Sequence, residues 1–355
     1  MVCLLSGTDH AWAQSVVDDC PSIREGCRPP FWARNGHVQA ALSLLLDDRA
    51  SSLEWDEEER IVLSDGGTVS LQWAGLAEPE DIPTLVCLHT ICGSGHGLRR
   101  LIRSMRERLG WAVVACNRRG HSGLPLTAPR INTMGFVDDL DAQLDRILAR
   151  RPKAPLYAVG VSAGSGLLVR YLGEKGDSSR FSAGVAVCPA YDIPEGLRAA
   201  HPWYDLYLAR RMSRFFLEEH RDAFEGIADR MACRSARTMV EFQERIYPFA
   251  GFESREAYEG SSDPMRVVRN VQTPTLVLNS EDDPVCSVLN VHRHRDSMRQ
   301  LPRVLTVLTR FGGHCGFFEA VDPRASWSDR AIAEYLSAIH GRRSEAALDS
   351  GEAGR

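Results

Sequence analysis

A serine flanked by glycines is the part of this chain best suited to covalent chemistry. Residues 160–164 read Gly-Val-Ser-Ala-Gly and place Ser162 at the centre. The apolar run 155–159 before it is typical of a buried strand, and a helix-like run begins at Ser165. A sharp turn between strand and helix exposes the serine oxygen above the sheet edge, with helix N–H groups behind it. The pentapeptide alone arises by chance in about one chain of this length in ten, so the flanking pattern is what favours a nucleophile.

A base and an acid must accompany such a serine. The hydroxyl becomes nucleophilic when a histidine accepts its proton, and the histidine needs a carboxylate to orient it. Two late apolar runs, 274–279 and 305–308, are followed by Asp283 and His314 respectively. Because parallel strands end at one edge of a sheet, we predict that both side chains meet Ser162 there, in the chain order serine, acid, histidine.

Two adjacent aspartates compete for the role of the acid. We favour Asp283, which stands three residues after Ser280 and just before Pro284. Asp282 is interpreted as a loop cap or a surface charge. An oxyanion hole needs two backbone N–H groups aimed at the developing negative charge. We expect one from Ala163, the residue after the nucleophile. The other is expected from Thr90 or Ile91, in the loop after the first buried strand.

Eight strand-like segments alternate with helical patterns along most of the chain. An antiparallel hairpin around a glycine-rich turn comes first, and short, continuously apolar strands follow, as is typical of a parallel sheet covered on both faces. The predicted strands are 60–64, 68–73, 84–88, 111–116, 155–161, 181–188, 274–279 and 303–308. The fold class is therefore α/β, with a mostly parallel eight-stranded sheet flanked by helices.

Composition divides the chain around that sheet. Residues 1–58 are predicted to form an N-terminal arm with short helices, the first 30 residues lying on the surface. Residues 59–190 and 271–340 form the core, with a final helix from about 327 to 340. Residues 191–270 are rich in helix-forming, aromatic and charged residues and read as a helical cap over the carboxyl edge of the sheet. The polar segment 341–355 is predicted to be a disordered tail.

Seven apolar cap residues are candidates for an acyl-chain wall or a membrane-facing patch. Packing of the cap onto the sheet is expected to explain most of them. They are Trp203, Tyr204, Leu206, Tyr207, Phe215, Phe216 and Leu217.

The overall composition excludes several classes of protein. The 355 residues carry a formal net charge of -5 and no long block of Lys or Arg, so nucleic acid is not an expected partner. Ten cysteines are sparse for this length, which favours a reducing compartment. Neither a signal peptide nor an apolar stretch of membrane-spanning length is evident. We expect a cytoplasmic protein, with peripheral membrane contact through the cap left open.

Several polar residues have plain structural explanations. Arg118 and Arg119 are interpreted as loop-stabilising salt-bridge partners in preference to contacts for an anionic head group. His89 is expected to support the oxyanion loop by a hydrogen bond without transferring protons. His292 and His294 are two residues apart with no further ligands at metal-binding spacing, so we interpret them as surface residues and predict no metal.

Taken together, these segments resemble the AB hydrolase 4 family of the α/β-hydrolase superfamily, which includes bacterial esterases and eukaryotic lipases and phospholipases. The similarity covers nearly the whole chain. The matching segments are 31–39, 117–120, 160–164, 171–174, 279–285 and 313–319. The resemblance implies an α/β-hydrolase fold and an esterase or lipase with Ser162, Asp283 and His314 as its triad. Thr90 stands where this family's loop usually has glycine, which is expected to affect the turnover rate, and Ser165 replaces a second usual glycine.

We therefore expect a serine hydrolase that cleaves medium- or long-chain acyl esters, such as acylglycerols or phospholipids, without a metal or organic cofactor. An acyltransferase using the same acyl-enzyme and a non-catalytic binding protein on a hydrolase fold stay open as alternatives. Cys92 and Cys315 flank the predicted site. We hypothesise that modifying one of them blocks substrate entry, although two inert small side chains are the simpler interpretation. The sequence indicates no oligomeric state.

Overall fold

A nine-stranded sheet runs through the centre of the computed structural model, which describes residues 2–49, 53–227, 230–319 and 326–349. The strands are β1 (Val2–Ser6), β2 (Glu57–Val62), β3 (Thr68–Ala74), β4 (Thr84–Leu88), β5 (Ala112–Asn117), β6 (Leu156–Val161), β7 (Phe181–Val187), β8 (Thr275–Ser280) and β9 (Val304–Thr309).

Helices fill the connections between the strands. They are α1 (His10–Asp19), α2 (Pro21–Glu25), α3 (Gly36–Arg49), α4 (Arg99–Leu109), α5 (Val137–Arg150), α6 (Ala163–Lys175), α7 (Ile193–Arg198), α8 (Pro202–Met212), α9 (Arg230–Arg234), α10 (Met239–Arg245), α11 (Arg255–Ser262), α12 (Val288–Arg299) and α13 (Trp327–Asp349). A π-helical turn, Ser213–Glu218, continues α8.

The sheet is parallel in its middle and antiparallel at its edges. The strand order is β1-β9-β8-β7-β6-β4-β5-β3-β2. Strands from β5 to β9 in this order are parallel, while β1, β2 and β3 pair antiparallel with their neighbours. The central strands β4 to β6 are buried along their whole length, which explains why they are continuously apolar instead of alternating.

Helices cover both faces of the sheet, and each face has its own apolar core. On one face α1, α4 and α13 pack against the strands, with Val16, Ile102 and Leu336 fully buried. On the other face α5, α6 and α12 pack, and Leu140 and Leu168 are fully buried. The α/β architecture with a mostly parallel sheet is as predicted.

The prediction of eight strands was wrong by one, because the N-terminal segment is not a surface arm. The backbone of β1 pairs with β9, so that Leu5 lies opposite Thr306 and is buried. Val16 of α1 and Ile23 of α2 are fully buried beneath α13. A five-residue edge strand shows no periodicity of its own, since its partner lies about 300 residues later in the chain.

The final helix also extends beyond its predicted end. Helix α13 continues to Asp349, so the predicted disorder is wrong for residues 341–349, and residues 350–355 lie outside the described part. The guanidinium of Arg342 donates to Asp19 in α1, and Arg343 donates to the hydroxyl of Ser182 at 2.7 Å. These contacts with the body of the protein stabilise turns that a polar sequence alone does not indicate.

Between β7 and β8 the described residues of 191–270 form helices and turns without a strand. This helical insertion has its own core, in which Phe216, Phe242 and Phe249 are almost completely buried. It is tied to the loop after β5, since the hydroxyls of Tyr258 and Thr133 are 2.7 Å apart. The insertion therefore lies over the carboxyl edge of the sheet, where β4 and β6 also end.

Candidate active site

Four strands deliver the predicted site residues to one edge of the sheet. Ser162 directly follows β6, and Thr90 comes two residues after β4. Asp283 follows β8 by three residues, and His314 follows β9 by five. Because these strands run parallel, their carboxyl ends bring the four residues close together, as predicted.

Ser162 occupies a strained turn between β6 and α6. Its φ is 53° and its ψ is -116°, a conformation that residues with a Cβ rarely adopt. The flanking glycines are needed for space: a Cβ on Gly160 would lie 2.3 Å from the carbonyl oxygen of Gly164, and one on Gly164 would lie 2.2 Å from that of Leu88. The backbone N–H of Ser162 donates to Val187 at 2.8 Å, which holds the turn against β7.

A chain of hydrogen bonds joins the three residues predicted to form a triad. His314 Nε2 lies 3.0 Å from Ser162 Oγ, and His314 Nδ1 lies 2.9 Å from Asp283 Oδ2. The Asp283 side chain is fully buried, and that of His314 is 17% exposed. When the ring is neutral, Nδ1–H donates to the carboxylate and Nε2 can accept the serine proton.

The loop after β8 holds Asp283 rigidly and gives Asp282 a separate role. Asp283 Oδ1 accepts the backbone N–H groups of Val285 and Cys286, both at 2.8 Å. Asp282 Oδ1 accepts the N–H of Gly313 at 2.9 Å, next to His314. The structure thus brings Asp283 to the histidine, and it places Asp282 as a brace between the two loops.

Several groups around the His314 ring determine its pKa. Burial is the largest single influence and disfavours the imidazolium, but the charge and hydrogen bond of Asp283, together with Cys286 and Cys188, outweigh it and hold the pKa of His314 well above its usual value. This environment favours a proton on the ring.

Arg118 lies behind the proposed oxyanion loop and binds its carbonyl groups. Its Nη2 donates to the carbonyl oxygens of Thr90 at 2.6 Å and Ile91 at 3.1 Å. No cis peptide occurs among the described residues, so the carbonyl and the N–H of each peptide unit point in opposite directions. A Thr90 carbonyl directed at Arg118 therefore turns the Ile91 N–H away from Arg118, and Ile91 itself lines the cavity above Ser162.

Arg118 is a buried cation without a carboxylate partner among the described residues. Burial lowers its pKa to about 10, so it stays charged at neutral pH, and it is only 6% exposed. His89 and His121 adjoin it, and both have lowered pKa values, chiefly through burial and then through this charge. The ring of His89 bonds the Thr90 carbonyl at 2.9 Å, as expected of a loop support.

Arg118 and Arg119 differ in role, although both were predicted to form salt bridges. Arg119 pairs with Asp139 at 2.7 Å and with Asp65 at 2.6 Å, which is the salt bridge expected of it. For Arg118 the expected salt bridge was wrong, because backbone carbonyls and not carboxylates receive its donors.

A cavity of about 660 Å³ opens above Ser162 and His314, within the usual range for small-molecule sites. Its inner wall is largely apolar and comes from both the core and the helical insertion. The apolar residues of this wall include Leu98, Leu101, Val161, Val187, Leu197, Leu208 and Ile332. Arg100 and Asp329 also line it, but they neutralise each other in a buried ion pair of 2.7 Å.

The aromatic residues of the insertion divide between packing and the cavity. Phe216 and Leu217 are fully buried, whereas Tyr204 and Tyr207 line the cavity. Trp203 is 81% exposed. Packing therefore explains fewer of the seven candidates than predicted.

Cysteines surround the histidine more closely than the sequence suggests. Within the described ranges, two sets of side chains place three potential metal-ligand atoms within 4.8 Å of one another: Cys188, His314 and Cys315, and Asp283, Cys286 and His314. Both sets depend on ring nitrogens that already bond Ser162 and Asp283, so the arrangement fits a triad better than a metal centre.

Cys92 and Cys315, which were predicted to flank the site, both line the cavity. Burial raises the pKa of the Cys92 thiol to about 12, so at neutral pH it is protonated and a poor nucleophile. Cys188, which sequence reasoning missed, follows β7 with a φ of 49° and accepts the N–H of Cys315 at 3.4 Å. The sequence could have indicated Cys188, because it directly follows a central strand at the edge of the sheet where Ser162 lies.

In the parts of the chain that are described, no helix combines the length and apolar character needed to cross a bilayer. The chain is similar to several named proteins. Human phospholipase ABHD3 is 27% identical over 344 residues, which cover 93% of this chain and 83% of that protein. Human monoacylglycerol lipase ABHD2 is 25% identical over 363 residues, covering 93% and 84%. Human protein ABHD15 is 33% identical over 233 residues, 65% of this chain, and this chain spans only 49% of its length.

Solved structures show the same fold. A hyperthermophilic esterase from Pyrobaculum calidifontis superimposes with a TM-score of 0.53 at 17% identity, covering 87% of this chain and 90% of that one. The family model described as serine aminopeptidase S33 matches residues 79–319, which contain every predicted site residue. The chain belongs to this AB hydrolase 4 family of the α/β-hydrolase superfamily.

Proposed function

We propose that this protein is a serine hydrolase that cleaves carboxylic esters through an acyl-enzyme formed on Ser162. The observation that carries the proposal is the chain of hydrogen bonds from Ser162 through His314 to Asp283 at the floor of the cavity. Relatives named phospholipase and monoacylglycerol lipase support ester hydrolysis as the reaction class.

The proposed reaction gives each of the three side chains one role. Ser162 Oγ attacks the ester carbonyl while His314 Nε2 accepts its proton. His314 then protonates the leaving alcohol and afterwards activates a water molecule that releases the acid. Asp283 keeps Nδ1 protonated throughout and stabilises the imidazolium.

Two backbone N–H groups are proposed to bind the oxyanion. Ala163 is the first residue of α6, so its N–H has no acceptor within the helix and lies at the positive end of the helix dipole. Of the two candidates in the loop after β4, we select Ile91 over Thr90, because Arg118 holds the Thr90 carbonyl on the opposite side of that peptide. The Arg118 charge adds a positive potential behind the same loop.

The acyl group is proposed to lie along the apolar wall of the cavity. Each methylene buried there contributes about 0.8 kcal/mol, so chains of medium length or longer are favoured over acetyl esters. Trp203, highly exposed on α8 next to the cavity-lining Tyr204, supports contact of the helical insertion with a lipid surface.

Fluorophosphonate labelling tests the proposal directly. Wild-type protein is expected to be labelled at Ser162 and to hydrolyse p-nitrophenyl esters, with decanoate faster than acetate. Ser162→Ala protein of unchanged fold should lose both properties. Equal hydrolysis by the two proteins would overturn the proposed mechanism, and a folded wild-type protein that neither labels nor hydrolyses would indicate a non-catalytic binding protein.

A further inference from the structure

A second cavity adjoins the first in front of the proposed oxyanion loop. Its volume is about 440 Å³, and it shares Cys92, Gly93, Ser94, Gly97 and Arg211 with the cavity above Ser162. The two spaces therefore meet at the loop that would hold the ester carbonyl. A substrate bound at Ser162 can extend from one into the other.

The second cavity carries positive charge that no acidic side chain of its lining compensates. Arg99 and Arg211 line it, and the described lining residues include neither Asp nor Glu. Two acids whose charge reaches this region, Glu58 and Glu219, lie outside the lining. Glu58 accepts from Gln72 at 3.0 Å, and Glu219 pairs with Arg214 at 3.7 Å.

Neither arginine is engaged by a described carboxylate. Arg99 Nη2 contacts His96 Nδ1 at 2.6 Å, and Arg99 Nε is buried without a hydrogen-bond partner. Burial and the Arg99 charge lower the pKa of His96, so at neutral pH this imidazole is uncharged. Arg211 is exposed near the end of α8, and among the described residues its guanidinium has no hydrogen-bond or ion-pair partner.

We propose that Arg99 and Arg211 bind an anionic group on the alcohol portion of the substrate, a phosphate or a carboxylate. This rests on the proposed function and names its substrate class: acyl esters of an alcohol that carries negative charge. The acyl chain takes the apolar wall of the first cavity, because a charged group against Leu101, Val187 and Ile332 would lose hydration without a partner. The charged end then extends over Gly93 and Ser94 to the two guanidinium groups, whose forked donors match phosphate or carboxylate oxygens.

Two substrates with the same acyl chain test the inference. The rates for 1-decanoylglycerol 3-phosphate and 1-decanoylglycerol are compared in the wild type, Arg99→Ala, Arg211→Ala and the double variant. Each single change is expected to lower kcat/KM for the phosphate ester about 10-fold, the value of one exposed charge-assisted bond, and the double change further. The uncharged glyceride should change less than about 3-fold, since no charge is lost from its contacts. A decanoyl ester of a hydroxycarboxylic acid distinguishes carboxylate from phosphate.

Arg210→Ala is the matched control, because Arg210 is also exposed on α8 but lines neither cavity. It should leave both rates unchanged. Equal losses of kcat/KM on both substrates, or no loss on the phosphate ester, would overturn the inference. If the variants still hydrolysed p-nitrophenyl decanoate, the proposed function would stand.

Calorimetry provides a readout that does not need turnover. Decyl phosphate is expected to bind Ser162→Ala protein more tightly than decanol does, and the added Arg99 and Arg211 changes should remove that preference. If decyl phosphate shows no preference that these changes abolish, the anion site is refuted even in a protein that hydrolyses nothing.

Discussion

Replacing Asp283 by asparagine provides the most discriminating test of the proposed site. The change keeps the size and shape of a fully buried side chain. The amide oxygen replaces Oδ1 and still accepts the N–H groups of Val285 and Cys286. Its NH₂ group must then face His314 Nδ1, where the carboxylate oxygen was.

That geometry reverses the tautomer of the histidine. An NH₂ group donates to Nδ1, so the ring proton moves to Nε2, which can no longer accept the proton of Ser162. Loss of the orienting carboxylate in a triad lowers kcat by about 10⁴-fold, equivalent to about 5.5 kcal/mol of transition-state stabilisation. We expect a loss of this order in kcat/KM for p-nitrophenyl decanoate and in the rate of fluorophosphonate labelling.

Asp282→Asn is the control, since it alters the neighbouring carboxylate in the same way. Asp282 accepts a hydrogen bond from Gly313, which an amide oxygen also accepts, so its activity should stay within about 10-fold of wild type. Thermal unfolding and circular dichroism establish that both variants fold. An Asp283→Asn protein with a tenth or more of wild-type activity, or a greater loss at Asp282, would refute the assignment of the acid.

Three further predictions concern other parts of the site. The kcat/KM for ester hydrolysis should fall as pH is lowered, with an apparent pKa above 6.5. The reason is that only neutral His314 accepts a proton and that Asp283 stabilises its charged form. A pH–rate profile with a midpoint below 6.5 would contradict this. Arg118→Met should lower kcat about 10- to 100-fold with little change in KM, because the loop loses the donors that orient Ile91; steady-state kinetics on the decanoate ester separate the two constants, and an unchanged kcat speaks against a positioning role. Ser162→Gly should be about 1 kcal/mol more stable than Ser162→Ala, because glycine accepts the φ of 53° without strain. Chemical denaturation of these two variants measures the difference in the free energy of unfolding. Equal stability would mean that the turn is not strained.

The sequence was most informative where a strand is buried on both faces. Such strands are continuously apolar, and β4 to β9 were recognised within a residue or two of their bounds. Ser162, Asp283 and His314 could be placed together because each follows one of these strands. By contrast, β1 is an edge strand whose stability comes from pairing with β9, and pairing across the whole chain leaves no local pattern.

Residues that act through the backbone of another segment were harder to identify. Nothing in the sequence around Arg118 shows that its donors reach carbonyls 28 and 27 positions earlier. Likewise, Arg99 begins α4 and Arg211 lies near the end of α8, so their shared cavity exists only after the helical insertion is folded against the loop after β4. Side-chain type and spacing predict chemistry along one segment, whereas such roles depend on tertiary contacts.

Arg99, Arg118 and Arg211, which surround the loop after β4 and pair with no described carboxylate, also bear on why the site is arranged as it is. Burying Arg118 with only carbonyls and neutral imidazoles around it is unfavourable for folding, since an ion pair or an apolar side chain would be less costly there. A carboxylate beside Arg118 would, however, cancel its potential at the proposed oxyanion hole, where negative charge would develop during attack. The same reasoning applies in front of the loop, where an acid beside Arg211 would compete with an anionic substrate. The lack of described counter-charges on both sides of this loop is therefore what the proposed oxyanion hole and the proposed anion site would require.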